Sequence, residues 1–361
     1  MKQNLITVVV PTFNRPFHMC RSARYWSNFG SKFIVADGSQ INQSALVPQV
    51  PQYIWEPDLS MTQRWYLALE SVKTKYVLFC ADDDFIGFDA IVQCLDFLEN
   101  NPGFSCAQGC YLSFKSNPRG KIDAYKEYEG IENYPLYSDH LEDRITKGFR
   151  YYFHTMYGVQ KTDNALIFLR NFPKLSNDNA FEMQFTFGNS LIGNHKIFPF
   201  LYGVREHIPG SAGSVTPNIT QWKKTDFASF NNWKTYCSEL VSQTQGVNDK
   251  DSKDLFDKAF NAYECFINEY PLYKRVGILN KIIPTLKNLL RKYLPAKLVS
   301  KIRDRNVRNR SGMEPDLVQL TRRLYDEDCV PDAMRIQQAI LDCDSHENCC
   351  NRKRTDGAQA Y

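Results

Sequence analysis

No stretch of this 361-residue chain reaches the roughly 18 to 20 consecutive apolar residues that a membrane-spanning helix needs. The apolar run at residues 5–10 is too short for the core and cleavage site of a secretory signal, and Pro11 interrupts it. The chain is therefore expected in the cytoplasm, or peripherally on the cytosolic face of a membrane. A strong charge of one sign is also missing. Lys and Arg number 44 against 40 Asp and Glu, a formal net charge of +4. That balance argues against a protein built to coat nucleic acid, and no nucleic-acid partner is expected. Internal repeats and low-complexity tracts are absent. The eleven cysteines are odd in number and lack a secretion signal, so they read as reduced thiols and not as a disulfide framework. Cys80, Cys94 and Cys106 fall inside apolar segments, where a thiol behaves as a small hydrophobe.

What is present is ample core material. Apolar residues make up 43% of the chain and aromatics 14%, which excludes wholesale disorder. The length allows one large domain with an appendage, or two modest domains. The first hundred residues alternate strand and helix signals. Buried strands are expected at 5–10, 33–36 and 76–81, with a weaker one at 52–55. Amphipathic stretches lie between them at 17–28 and 61–72. Asp89 reads as the N-cap of a further helix ending near residue 100. Apolar strands alternating with helices imply an α/β fold, a mostly parallel sheet flanked by helices. Ligands of such sheets bind at the carboxyl ends of the strands. Asp37 and the run Asp82-Asp83-Asp84 both fall there, on one edge of the sheet.

The middle is less regular. Residues 115–139 read as a long surface excursion, and 151–159 as a strand. Thr162 and Asn179 read as caps of two helices, and 197–202 as a strand before a Gly/Ser/Pro-rich loop. From about residue 220 the pattern becomes helical. The expected division is a catalytic domain over 1–218, a helical C-terminal extension over 219–345 and a disordered tail over 346–361.

Three adjacent aspartates closing a buried strand repel one another and raise each other's pKa. A divalent cation resolves the conflict, and hard oxygen ligands suit Mg²⁺ or Mn²⁺. A solvated acidic turn is the plain alternative, with about equal weight on spacing alone.

Four segments resemble family 2 glycosyltransferases, which share the GT-A fold. Val8-Val9-Val10-Pro11-Thr12-Phe13-Asn14-Arg15 resembles the opening strand and turn of that family. Ile34-Val35-Ala36-Asp37-Gly38-Ser39 resembles its second strand, and the segment from Tyr76 to Phe85 its metal-binding strand. Phe181-Glu182, then Phe198 to Gly203 and Arg205-Glu206-His207, resemble the base-bearing helix and the closing histidine loop. The resemblance spans about residues 5–215. It implies an inverting transferase that moves a sugar from a nucleotide-diphosphate donor to a hydroxyl of a glycan or lipid-linked acceptor. Asp82 and Asp84, with His207, would hold Mn²⁺ or Mg²⁺. Pro11, Thr12, Asn14, Arg15, Asp37, Asp82 and Asp83 would face the nucleotide, and Glu182 would be the base, with Asp178 as fallback. Two departures stand out. Ala81 occupies the position of the family's first metal-motif aspartate, and Phe181-Glu182 replaces the usual Glu-Asp pair.

Each assignment has a bland counterpart. Asp37-Gly38-Ser39 is also ordinary turn chemistry. Glu182 also suits a helix N-terminus. His207 also suits the surface, and His154, in an expected strand, reads as structural. A nucleotidyltransferase would carry a Gly-rich, Arg-bearing loop after its first strand, where this chain has Pro11-Thr12-Phe13-Asn14-Arg15. A non-catalytic sugar-binding or scaffold protein is the other rival. Residues 276–303 interleave Leu and Ile with Lys and Arg, as in a helix lying on an anionic membrane or one packed with a solvated basic face. Cys343, His346, Cys349 and Cys350 form a compact, weak zinc-like spacing.

Overall fold

The computed structural model describes residues 2–30, 32–116, 122–126, 131–134, 136–152, 154–208, 216, 218–267 and 316–345. The basic segment 276–303, the tail and the side chains of the Cys343–Cys350 spacing lie outside them.

The first half alternates as expected. Strand β1 (Ile6–Thr12) leads to helix α1 (Pro16–Ser27), then β2 (Lys32–Asp37), β3 (Gln52–Trp55), α2 (Met61–Ser71), β4 (Tyr76–Phe79), the short β5 (Phe85–Ile86) and α3 (Phe88–Asn100). Strand β1 is β-branched and buried on both faces, so it sits centrally and pairs in parallel with β2 and β4. Val8 lies opposite both Phe33 and Leu78. Helix α2 starts on a capping box, in which Ser60 accepts from the Gln63 backbone and Gln63 reaches back to the Ser60 N–H.

The second half adds β6 (Phe104–Ser116), β7 (Ile122–Lys126), α4 (Leu141–Arg150), β8 (Val159–Lys161), α5 (Thr162–Leu169), α6 (Asn179–Ile192) and β9 (Asn194–Glu206). Nine strands form one sheet in the order β3-β2-β1-β4-β8-β6-β9-β5, with β7 paired to β6. It is parallel through β3, β2, β1 and β4 and mixed beyond, because β8 runs antiparallel to both β4 and β6. The expected surface excursion is partly sheet, since β6 runs on to Ser116 and β7 returns along it. The strand expected over 151–159 begins only at Val159. Residues 155–157 form a 3-10 turn, and Gly158 closes it with its N–H on the Thr155 carbonyl.

Helix α7 (Ile219–Thr225) packs on α8 (Phe227–Gln245), and α8 and α9 (249–267) pack on α6. There Trp233 donates its ring N–H to Gln184 and packs against Phe256. Helices α10 (Leu317–Leu324) and α11 (Val330–Ser345) return to the sheet side. The buried apolar residues join in one cluster that runs from Ile6 to Ile340. The expected Asp89 cap is corrected. Helix α3 follows Gly87, and the capping carboxylate is that of Asp332 on α11. The cysteines whose side chains are described carry no disulfide, and Cys80, Cys94 and Cys106 are fully buried.

Candidate active site

Strand β4 delivers the three aspartates into a turn at the carboxyl edge of the parallel half-sheet. The Cys80 N–H still bonds Val9, and the Asp84 N–H folds back to Ala81. All three carboxylates are nearly buried. Their charge is met by arginines. Arg15 Nη1 donates to Asp82 Oδ1 and Nη2 to Asp83 Oδ2, each at 2.7 Å. Arg205 Nε donates to Asp84 Oδ2 at 3.3 Å, and the Glu206 N–H reaches the other Asp84 oxygen at 3.3 Å. Thr12 Oγ1 donates to Asp82 Oδ2 at 2.7 Å. Burial pushes the Asp82 carboxyl up to about 7 despite the Arg15 charge beside it, and the Asp83 charge pushes the same way.

The loop after β1 brings Arg15 there. Asn14 adopts a left-handed backbone, φ 54°, which an Asn tolerates better than most residues. Its N–H bonds Ser39 Oγ at 2.8 Å, and Pro16 then starts α1 with its fixed φ. Pro11 stays inside β1, opposite Ala36. Asp37 is fully buried and serves the neighbouring turn. It accepts from the Ser39 N–H at 2.8 Å, the Ser39 hydroxyl at 2.5 Å and the Tyr53 hydroxyl. Gly38 lies against Arg64, whose guanidinium a Cβ at position 38 would strike. Arg64 is itself nearly buried and donates to the Leu59 carbonyl at 2.5 Å. Burial pulls its pKa down from the ordinary arginine value, against the opposite pull of Asp37.

The second wall comes from α6. Glu182, in its first turn, carries a side chain 24% exposed and lies 2.8 Å from His154 Nδ1. Burial pushes the Glu182 carboxyl up, but the charge and hydrogen bond of His154, with Arg205, outweigh it, so the net shift is down. Asp178, at the N-cap of α6, is pushed up by burial and by the Glu182 charge. Arg205 stands over the Tyr157 ring at 5.3 Å, so the Asp84 partner and the Glu182 pair share one neighbourhood.

The structure thus brings together Thr12, Asn14, Arg15, Asp37 and Asp82–Asp84 on one edge, and connects Glu182 to them through Arg205. His207 holds the Phe114 carbonyl with its backbone N–H, and its side chain is exposed. Among the described residues no three His, Cys, Asp or Glu side chains are gathered as a preformed metal cluster. Sequence reasoning missed Arg21 and Arg64 and read His154 as structural. Arg21, fully buried on α1, donates to Glu206 Oε2 at 2.5 Å and to the Asp83 carbonyl at 3.3 Å. An arginine on the apolar face of α1 or α2 is the one available signal for the first two. His154 carries no motif.

The crystal structure of residues 1–349 of S. aureus TarS matches this chain with a TM-score of 0.50 at 14% identity, covering 72% of each. The same protein in complex with UDP-GlcNAc matches at 14% identity and TM-score 0.50, over 74% of this chain and 75% of that one. The fold is GT-A-like. No family model matches the chain, and no curated protein matches it in sequence. The α/β sheet flanked by helices with a helical C-terminal extension, expected from the sequence, is the architecture found.

Proposed function

We propose that this chain is an inverting glycosyltransferase using a nucleotide-diphosphate sugar. The observation that carries the reading is one sheet edge holding three nearly buried, arginine-paired carboxylates, with a partly exposed carboxylate, Glu182, across Arg205 from them. The TarS fold, captured with UDP-GlcNAc, supports a nucleotide-sugar as the partner.

The donor set fits a divalent metal. Asp82 and Asp84 offer hard oxygens, and burial raises the Asp82 carboxyl to about 7 even with Arg15 beside it, so a bound cation would favour its charged, ligating form. Asp82 and Asp84 would hold Mg²⁺ or Mn²⁺, and that cation would supply Lewis-acid stabilisation for the departing nucleoside diphosphate. His207 would join that shell only by turning inward from its exposed position. The protein's own groups do the rest. Arg15 and Arg205 sit where diphosphate charge would grow. The Ser39 turn, held by Asp37 and Asn14, lines the nucleoside side. Glu182 takes the proton from the acceptor hydroxyl while the acceptor oxygen bonds to the anomeric carbon and the bond to the diphosphate breaks. Attack opposite the leaving group inverts that carbon.

The acceptor is a hydroxyl of a glycan or lipid-linked saccharide. The basic segment 276–303 adds an anionic membrane surface as a partner, and flotation with anionic liposomes at low salt tests it. Among the described residues no helix is long and apolar enough to cross a membrane. Calorimetry with nucleoside diphosphates, with and without Mn²⁺, tests the metal assignment. Binding should need the metal and vanish in Asp84→Ala; metal-independent binding would remove it. A non-catalytic scaffold would bind the nucleotide and never turn over.

A further inference from the structure

His154 lies between α4 and β8, immediately before the 3-10 turn at residues 155–157. The fold nonetheless fixes its ring. Tyr152 OH lies 3.4 Å from His154 Nδ1, with the two rings 5.3 Å apart and steeply inclined. Tyr157 packs on the imidazole at 6.4 Å. Tyr152 is in turn braced edge-on by Tyr263 of α9, at 5.7 Å. The imidazole is thus oriented by aromatic contacts that reach into the C-terminal helices. Its Nδ1 is 2.8 Å from Glu182 Oε2. A carboxylate can only accept, so Nδ1 carries the proton. Both side chains keep about a quarter of their surface open, His154 22% and Glu182 24%.

We propose that His154 is a positioning residue for the base. Its Nδ1–H holds one oxygen of Glu182 so that the other faces the acceptor hydroxyl. The inference rests on Glu182 being the base. The division of labour follows from the geometry: a Glu side chain has three free torsions, and one short hydrogen bond from a packed ring removes most of that freedom. The charged and titratable groups facing Glu182 are His154, Arg205 of β9, Asp178 at the start of its own helix and Tyr157 of the 3-10 turn. His154 bonds it directly, at 2.8 Å. The downward shift of Glu182 is consistent with this, since His154 contributes to it through both charge and hydrogen bond. A base held below its ordinary range trades basicity for always being deprotonated, so correct placement is what it has to offer.

The test uses the full chain and two variants, His154→Ala and His154→Asn. The Asn amide can donate from nearly the place of Nδ1 but carries no charge. Glu182 titration is read by carbon NMR of carboxyl-labelled glutamate, assigned by its loss in Glu182→Gln. Turnover is read as UDP released from a panel of UDP-sugars with water as acceptor. In His154→Ala the Glu182 titration should move to higher pH and kcat should fall about tenfold or more, a part of the 10²–10⁴ that a positioned base contributes. KM for the donor should stay put. His154→Asn should recover most of the rate while the titration stays shifted upward. Unchanged rate and titration in His154→Ala would overturn the role of His154. Equal rate losses in both variants with an unmoved titration would also overturn it, by marking His154 as merely structural. Turnover surviving in Glu182→Gln would overturn the base assignment, and the role of His154 with it.

Discussion

Asp332→Ala should loosen the start of α3 and weaken the whole fold, although Asp332 is distant in sequence from every residue it caps. Its carboxylate accepts from three consecutive backbone N–H groups: Phe88 at 2.8 Å, Asp89 at 3.0 Å and Ala90 at 3.1 Å. It is 2% exposed, and Arg335 donates to it at 2.8 Å while also holding Asp89. Losing an N-cap costs about 0.5–2 kcal/mol. Here the cap is buried, so the N–H groups it leaves behind find water poorly, and each orphaned buried donor costs about 1–3 kcal/mol. Against this, the mutation removes the cost of burying a carboxylate, which already pushes the Asp332 pKa up. The balance is a loss of about 3 kcal/mol. Urea unfolding followed by tryptophan fluorescence measures it as a lower midpoint at unchanged slope. Hydrogen exchange should quicken at residues 87–91 before it does at the centre of β1. A loss below about 0.5 kcal/mol would refute the argument, because it would mean that α11 merely rests on α3.

Gly38→Ala should lower stability by about 1–3 kcal/mol, since the added methyl displaces the Arg64 guanidinium from the Leu59 carbonyl; thermal unfolding checks it, and an unchanged midpoint would contradict the packing. The acid limb of kcat should fall below the ordinary glutamate range, because the net shift of Glu182 is down and the carboxylate is the working form. The same group contributes stability that is present above its unfolded pKa and lost as the pH falls through its lower folded pKa. A rate–pH profile that breaks above the ordinary glutamate range would count against Glu182. Arg205→Ala should weaken binding of a nucleoside diphosphate with Mn²⁺ by about tenfold or more, through the loss of one charge-assisted contact to the site; unaltered affinity by calorimetry would remove Arg205 from it.

The half of the site that lies on the parallel sheet was legible because its geometry is local. An apolar strand such as β4 has to be buried, and the aspartates at its end then stand at the sheet's carboxyl edge. The turn at Asn14-Arg15-Pro16 is likewise written in its residue types. What escaped the sequence is long-range. Asp332 caps a helix 244 residues away, so Asp89 looked like the obvious cap. His154 meets Glu182 through a segment whose tyrosines gave a strand-like pattern, while its backbone makes a 3-10 turn. Asp37 showed the opposite problem. Its place at the sheet edge was foreseen, but its oxygens are taken up by Ser39 and Tyr53, so it shapes the turn there. The mixed half of the sheet was obscured for a similar reason, because β7 and β8 are short and owe their pairing to β6.

The most direct test of the central claim is transfer itself, measured as nucleoside diphosphate released from a panel of nucleotide-sugars in the presence of Mn²⁺, for the wild-type chain and for Glu182→Gln. The wild type should turn over at least one donor. Glu182→Gln should lose about 10²–10⁴ in rate while binding the nucleoside diphosphate with unchanged affinity. Release from no donor in the panel, or a Glu182→Gln rate equal to the wild type's, would contradict the account.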